Sequence, residues 1–322
     1  METTVTMTML RPQLPVPVGN PDADSASASA EACEPGIVLG LSDTAYHADT
    51  SALSATGAKR LLDCPARFLW ERDHPRPYTP AFELGHAAHT LTLGTGAGMH
   101  VVQADSWRSK AARTERDEAL AAGLTPLLEG EYEQVQAMRE ALAVHPIAGP
   151  LFDRTDRVTE ASLYWTDSAT GVACRARPDW WSHDRSLVVD LKTTSRSAAP
   201  GEFGRLAAQF GYHLQAAWYL EAVRAVTEVE ASFVHVVQET VPPYLVAVVQ
   251  LDAEALHVGA EQADRARRLY AHCQATGQWP GYPPTVHPAH LPGWYLAQHD
   301  ALAEQWATET DDIDALREGA LS

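Results

Sequence analysis

Between residues 158 and 251 the periodicity of the chain changes, and that change constrains the fold more than any other feature. Three runs rich in β-branched and aromatic residues occupy 158–165 (VTEASLYW), 171–181 (GVACRARPDWW) and 187–192 (LVVDLK), separated only by the turn-forming segments DSAT and SHDRS. Linkers this short join antiparallel neighbours, so the runs predict successive strands. A long amphipathic helix is expected over about 201–226, then strands at 231–238 and 244–251, then a helix over about 253–276. Upstream, 54–70 reads as a helix with Ser54 as N-cap and Pro65 breaking or restarting it. Residues 82–93 place Leu84, Ala87, Ala88 and Leu91 on one helical face, and 131–144 suggest a third helix. Helices, three strands, helix, two strands, helix: that order predicts one α/β domain with a mixed central sheet flanked by helices. No internal repeat interrupts it.

The ends of the chain differ from this middle. Residues 1–35 are rich in Pro, Ser, Ala and acids and bury too little apolar surface to offset their ordering entropy, so disorder is expected there. Residues 300–322 read as an acidic tail, which leaves 36–299 as the folded domain. No run approaches the roughly 20 apolar residues of a membrane helix, and no basic n-region precedes an apolar core as in a secretory signal. A cytoplasmic protein is expected. The four cysteines are scattered with no close pair, which disfavours a zinc ribbon and suits free thiols in a reducing compartment.

A net charge of −18 argues against a surface that coats nucleic acid. The acids are concentrated in the tails, however. Residues 1–50 and 300–322 each hold seven acids and one Arg, leaving 28 acids and 22 bases between them, a net of −6. A local basic groove remains open.

The chemistry sits in Pro178-Asp179 and in Asp190-Leu191-Lys192. Neighbouring strands would bring the two acids to the same end of the sheet, and alternation puts Asp190 and Lys192 on one face with Leu191 on the other. Paired carboxylates hold hard divalent cations. Such an ion polarises a phosphate and acidifies its bound water, while a lysine offsets developing charge.

These residues resemble the signature of the PD-(D/E)XK nucleases, whose fold is the restriction-endonuclease-like core. ELGHAAH at 83–89 resembles the G-x-x-x-H helix of the RecB-type branch, and QAAWY at 215–219 its Q-x-x-x-Y motif, with Gln215 and Tyr219 on one helical face. The order of the four motifs is also the RecB-type order. Within that branch, the opening segment (Tyr46-His47, SALS at 51–54, Lys59, CPARF at 64–68) and the closing GQWPGY at 277–282 and LPGW at 291–294 are most similar to exodeoxyribonuclease VIII, the RecE-type domain. The resemblance spans about residues 40–295. It implies a magnesium-dependent exonuclease of linear double-stranded DNA (manganese substituting) that acts in recombination or repair. It further implies a single-strand annealing partner and a ring-shaped homo-oligomer. Asp179, Asp190, His89 and the Leu191 backbone carbonyl are the implied metal ligands, Lys192, Gln215 and Tyr219 the implied catalytic companions, and Gly85 is implied to allow close helix packing.

Several residues carry two readings. Glu160 either assists the metal site or is an exposed strand carboxylate. Lys59, Arg60 and Arg67 either contact phosphate or belong to a solvated face also bearing Asp63 and Glu71. Trp180 and Trp181 either stack on a base or pack. The glycine-rich 94–98 follows a helix and lacks Gly-Lys-Ser/Thr, so it is no phosphate cradle. Relatives with an iron–sulfur cluster use a closely spaced C-terminal cysteine trio, absent here, so no cluster is expected. The rival functions are a RecB-like nuclease in helicase-coupled trimming or CRISPR adaptation, and a catalytically silent DNA-end scaffold. Retention of Asp179, Asp190 and Lys192 together counts against the scaffold.

Overall fold

The computed structural model describes residues 35–74, 80–94 and 98–319. The expected disordered segment, but for Pro35, lies outside them, as does most of the 94–98 loop. The chain forms two compact units, one ending at Trp279 and one beginning at Pro280. The first opens with β1 (Gly36–Val38), α1 (Asp43–Ala48), β2 (Leu53–Ser54) and α2 (Ala55–Asp63). The Ser54 hydroxyl accepts the Gly57 N–H at 3.1 Å, the cap expected there, and Pro65 starts a separate helix, α3 (Pro65–Asp73). Then come α4 (Pro80–Leu93), β3 (Met99–Val102), α5 (Lys110–Ala121), β4 (Thr125–Leu128), α6 (Glu129–Ala143) and α7 (Ala148–Asp153).

The strand-rich region departs from the expectation. The first run divides into β5 (Arg157–Thr159) and β6 (Ser162–Thr166), and the second into β7 (Ala173–Ala176) and β8 (Trp180–Ser182), before an unbroken β9 (Leu187–Thr194). Both divisions have local causes. Glu160 takes a left-handed φ of 49°, which turns the chain out of the ladder. Pro178 has no N–H to contribute to one. The Glu160 N–H donates to the Asp179 carbonyl at 3.0 Å, so the two breaks are tied together.

The expected helix over 201–226 is likewise two, α8 (Pro200–Phe210) and α9 (Tyr212–Thr227), with Gly211 between them at φ 66°. β10 (Ser232–Glu239), β11 (Val246–Val249) and α10 (Ala253–Thr276) complete the unit. Two sheets therefore share the divided runs, one ordered β1-β6-β7-β2 and the other β11-β10-β9-β8-β5. The second is mixed. β9 and β10 are parallel, with Asp190 beside His235 and Lys192 beside Val237, whereas β8–β9 and β10–β11 are antiparallel.

β9 is covered on both faces. Val188 packs into a cluster with Trp181, Leu214, Trp218 and Phe233, while Val189 and Leu191 pack on the other side with Leu93, Trp180 and Val236. Trp180 and Trp181 are both buried, so packing is their fate. The second unit contains α11 (Gly293–Gly319), and residue 299, the expected edge of the domain, falls inside that helix. No helix among the described residues is long and apolar enough to cross a membrane.

Candidate active site

Strand alternation on β9 delivers Asp190 and Lys192 to one face, and the Lys192 Nζ lies 2.6 Å from Asp190 Oδ2. Asp190 is only 1% exposed. Its other oxygen, Oδ1, accepts a hydrogen bond from Gln215 Nε2 on α9 at 3.1 Å. Asp179, in the bend before β8, turns its Oδ2 onto the Leu191 N–H at 2.6 Å. The two carboxylates thus meet around one stretch of β9 backbone. His89 reaches in from α4, with Nδ1 3.4 Å from Asp179 Oδ2 and its ring hydrogen-bonded to the Leu191 backbone. Tyr219, one turn beyond Gln215, hydrogen-bonds to the Gln215 side chain.

The electrostatics follow from burial. Asp179 is pushed well above the usual carboxylate range, first by desolvation and then by the nearby charge of Asp190. His89 is pulled down to about 4 by burial and by the Lys192 charge, so its imidazole is neutral and its 3.4 Å approach to Asp179 is not an ion pair. Burial alone would lower Lys192, but Asp190 and Asp179 outweigh it and raise the ammonium above its ordinary value. Burial also lifts the Tyr219 hydroxyl far from ionisation.

His89, Glu160, Asp179, Leu191, Lys192, Gln215 and Tyr219 all line one cleft of about 770 Å³. Asp190 lies beneath that lining. Of the expected phosphate contacts, Arg60 lines the cleft and pairs with Glu71 at 3.3 Å. Arg67 is outside the lining and pairs with Asp63. The Lys59 Nζ is bonded to the Phe210 carbonyl at 3.0 Å. Gly85 is not the tight contact expected of it: an added Cβ would come no nearer than 3.4 Å to Thr193 Oγ1, an ordinary van der Waals distance.

Sequence reasoning missed another part of the cleft lining. Arg175 and Arg177, buried on and just beyond β7, stack their guanidinium groups on the Tyr46 ring, 4.5 and 4.1 Å from its centroid. Arg175 donates to the Tyr46 carbonyl and Arg177 to the Leu41 carbonyl, which fastens α1 along the cleft. Two arginines at i and i+2 in a strand-like run share a face, and that spacing was the available signal. Tyr212, whose ring lies 5.1 Å from the Lys192 Nζ, left no signal of its own.

The donor set fits a hard divalent cation. It offers two buried carboxylates, a neutral imidazole and a backbone carbonyl, and the only partner of Asp190 Oδ2 among the described residues is the Lys192 ammonium. No three His, Cys, Asp or Glu side chains among the described residues form a ready-made cage. Water and phosphate oxygens would complete the shell, as is usual for magnesium. Cys64, Cys174 and Cys273 are buried free thiols.

The family model described as "PDDEXK-like domain of unknown function (DUF3799)" matches residues 54–286. No curated protein matches the sequence. Among solved structures, that of a "Putative exonuclease" from Eubacterium rectale aligns with a TM-score of 0.52 at 13% identity, over 80% of this chain and 98% of that one. A phage related exonuclease from Haemophilus somnus 129PT aligns with a TM-score of 0.31 at 11% identity, over 70% and 96%. The first likeness shows a shared fold. Together with the family match it identifies the mixed sheet and its flanking helices as the restriction-endonuclease-like core expected from the sequence.

Proposed function

We propose that this chain, which belongs to the PDDEXK-like family, is a metal-dependent deoxyribonuclease that digests linear double-stranded DNA from its ends. The observation that carries this reading is the convergence of Asp179, Asp190 and Lys192 around the Leu191 peptide at the wall of a cleft. Asp179, Asp190, His89 and the Leu191 carbonyl would hold magnesium, or manganese in its place, with Glu160 assisting from the neighbouring bend. When bound, that ion supplies Lewis-acid polarisation of the phosphate and a more acidic water.

The protein's own groups do the rest. The Lys192 ammonium, held charged by the two aspartates, offsets negative charge that develops on the phosphate. Gln215 fixes the Asp190 carboxylate through its 3.1 Å bond, and Tyr219 fixes Gln215. Arg60, in the cleft wall, would meet the DNA backbone. The sequence resemblance to exodeoxyribonuclease VIII supports a role in recombination or repair beside a single-strand annealing protein, and assembly into a ring.

The test is purified protein on end-labelled linear duplex and on closed circular DNA, with magnesium or with chelator, comparing wild type and Asp190→Asn. Magnesium-dependent release of nucleotides from linear DNA alone, lost in the variant, is the expected result. An inert wild type, or an undiminished variant, would overturn the reading.

A further inference from the structure

The aim of the site depends on the joint between α8 and α9. Immediately after that joint, Tyr212 lays its ring 5.1 Å from the Lys192 Nζ and Gln215 binds Asp190 at 3.1 Å. A small slide or roll of the first turn of α9 would detach both. Phe210, the last residue of α8, is 47% exposed, and its ring stacks on Tyr212 across the joint with centroids 5.6 Å apart. Its carbonyl is one of the helix-end acceptors that lack an intrahelical partner.

Lys59 supplies the missing partner from α2. Its Nζ donates to the Phe210 carbonyl at 3.0 Å across 151 residues of sequence. A cation at this end of a helix also complements the helix dipole. The stem of Lys59 lies directly against the joint: a Cβ on Gly211 would sit 2.6 Å from Lys59 Cδ and 3.3 Å from Cγ. Glycine at 211 suits its left-handed φ of 66°, and a Cβ there would force the Lys59 stem to shift. Lys59 does not line the cleft, although its neighbour Arg60 does. Burial and the nearby Lys192 charge pull its ammonium down to about 8, as suits a partly desolvated group buttressing the site.

We infer that Lys59 is a positioning residue that locks the α8–α9 joint, so that Gln215 and Tyr212 hold Asp190 and Lys192 in working geometry. This deepens the nuclease reading and rests on it. Three full-length variants test the role: Lys59→Met, which keeps the stem and loses the donor, Lys59→Arg, which restores one, and Lys59→Met combined with Gln215→Ala.

Amide hydrogen exchange provides a readout independent of activity. Loss of a bond from a charged donor should accelerate exchange across residues 211–216 of Lys59→Met by on the order of tenfold. Protection elsewhere should be unchanged, and wild-type protection at the joint overturns the inference. In single-turnover cleavage, Lys59→Met should slow by on the order of tenfold with DNA affinity unchanged, and Lys59→Arg should recover most of the rate. In the Gln215→Ala background the methionine should cost less than it does alone, because the two act on one carboxylate. Weaker DNA binding at an unchanged cleavage rate would make Lys59 a direct phosphate contact and overturn the inference, as would full multiplication of the two losses. If wild type cuts nothing, the nuclease reading falls and exchange at the joint still decides for or against Lys59.

Discussion

Leu191 has two separable duties, and truncating it to alanine divides them. Its N–H donates to Asp179 Oδ2 at 2.6 Å, inside the site. Its side chain is 0% exposed on the other face, in the cluster of Leu93, Trp180, Val189 and Val236. Leu191→Ala removes three carbons from that cluster. At about 0.8 kcal/mol per buried methylene equivalent, the transfer loss is roughly 2.4 kcal/mol. The rigid neighbours, a fully buried indole among them, collapse only partly, and the residual cavity brings the total to about 3–4 kcal/mol. The backbone bond needs no side chain, and Asp190 and Lys192 project from the opposite face. Well below the unfolding transition, single-turnover cleavage should therefore stay within roughly twofold of wild type. Urea unfolding measures the first quantity and cleavage of end-labelled duplex the second. Leu191→Met is the control, at a cost under about 1.5 kcal/mol. A loss below about 1 kcal/mol would show that Leu191 does not fill the core, and a folded but inactive variant would refute the separation of faces on β9.

Four further outcomes are expected. Asp179→Asn should abolish cleavage while leaving DNA binding intact, because an amide is a poor ligand for a hard cation; cleavage at the wild-type rate would remove Asp179 from the site. His89→Ala should cut poorly with magnesium and partly recover with manganese, with an unchanged circular-dichroism spectrum; full activity in magnesium would make His89 an ordinary helical residue. Lys192→Ala should lower the single-turnover rate by about 10²-fold with DNA affinity and its salt dependence barely altered, whereas a salt slope flatter by about one charge at an unchanged rate would mark a simple phosphate contact. Cys174, its thiol pushed up to about 12 by burial, should hold only about one thiolate in 10⁴ near pH 8. Iodoacetamide should then label it only after unfolding, and rapid labelling of the native protein would show that the first sheet opens.

The elements readable in the sequence are those whose determinants are local. α10 is observed over the expected residues because its apolar spacing is sustained and Asp252 caps it, Oδ1 accepting from the Ala255 N–H at 2.8 Å. α4 and α6 follow from the same periodicity. The short pair β3 and β4 was invisible, since four residues give too little alternation to stand out from a loop. The break at Gly211 was invisible for a different reason. A glycine within a helical pattern costs only about 1 kcal/mol and need not end the helix. What ends it here is the left-handed φ of Gly211, packed against the stem of Lys59 from far away in the sequence, and no local pattern carries that contact.

The candidate site shows the same division, and its least legible part explains the motif itself. Asp190 with Lys192, and Gln215 with Tyr219, could be paired from strand and helix periods alone. Asp179 could not, because it leaves the strand on which the sequence placed it. On β8 and β9, Trp180 is opposite Val189 and Trp181 is opposite Val188. Had the ladder continued by one residue, Asp179 would stand directly opposite Asp190 on the same face of the sheet. Two carboxylates so placed repel and destabilise the pair. Pro178 cannot donate to the ladder, and the chain bends at Asp179 instead. The bend turns the carboxylate onto the Leu191 N–H, and the tie from the Glu160 N–H to the Asp179 carbonyl holds the bend in place. The proline thus shapes the site through the backbone, stopping the strand one residue before the two acids would face each other and leaving the Asp179 carboxylate on the Leu191 N–H.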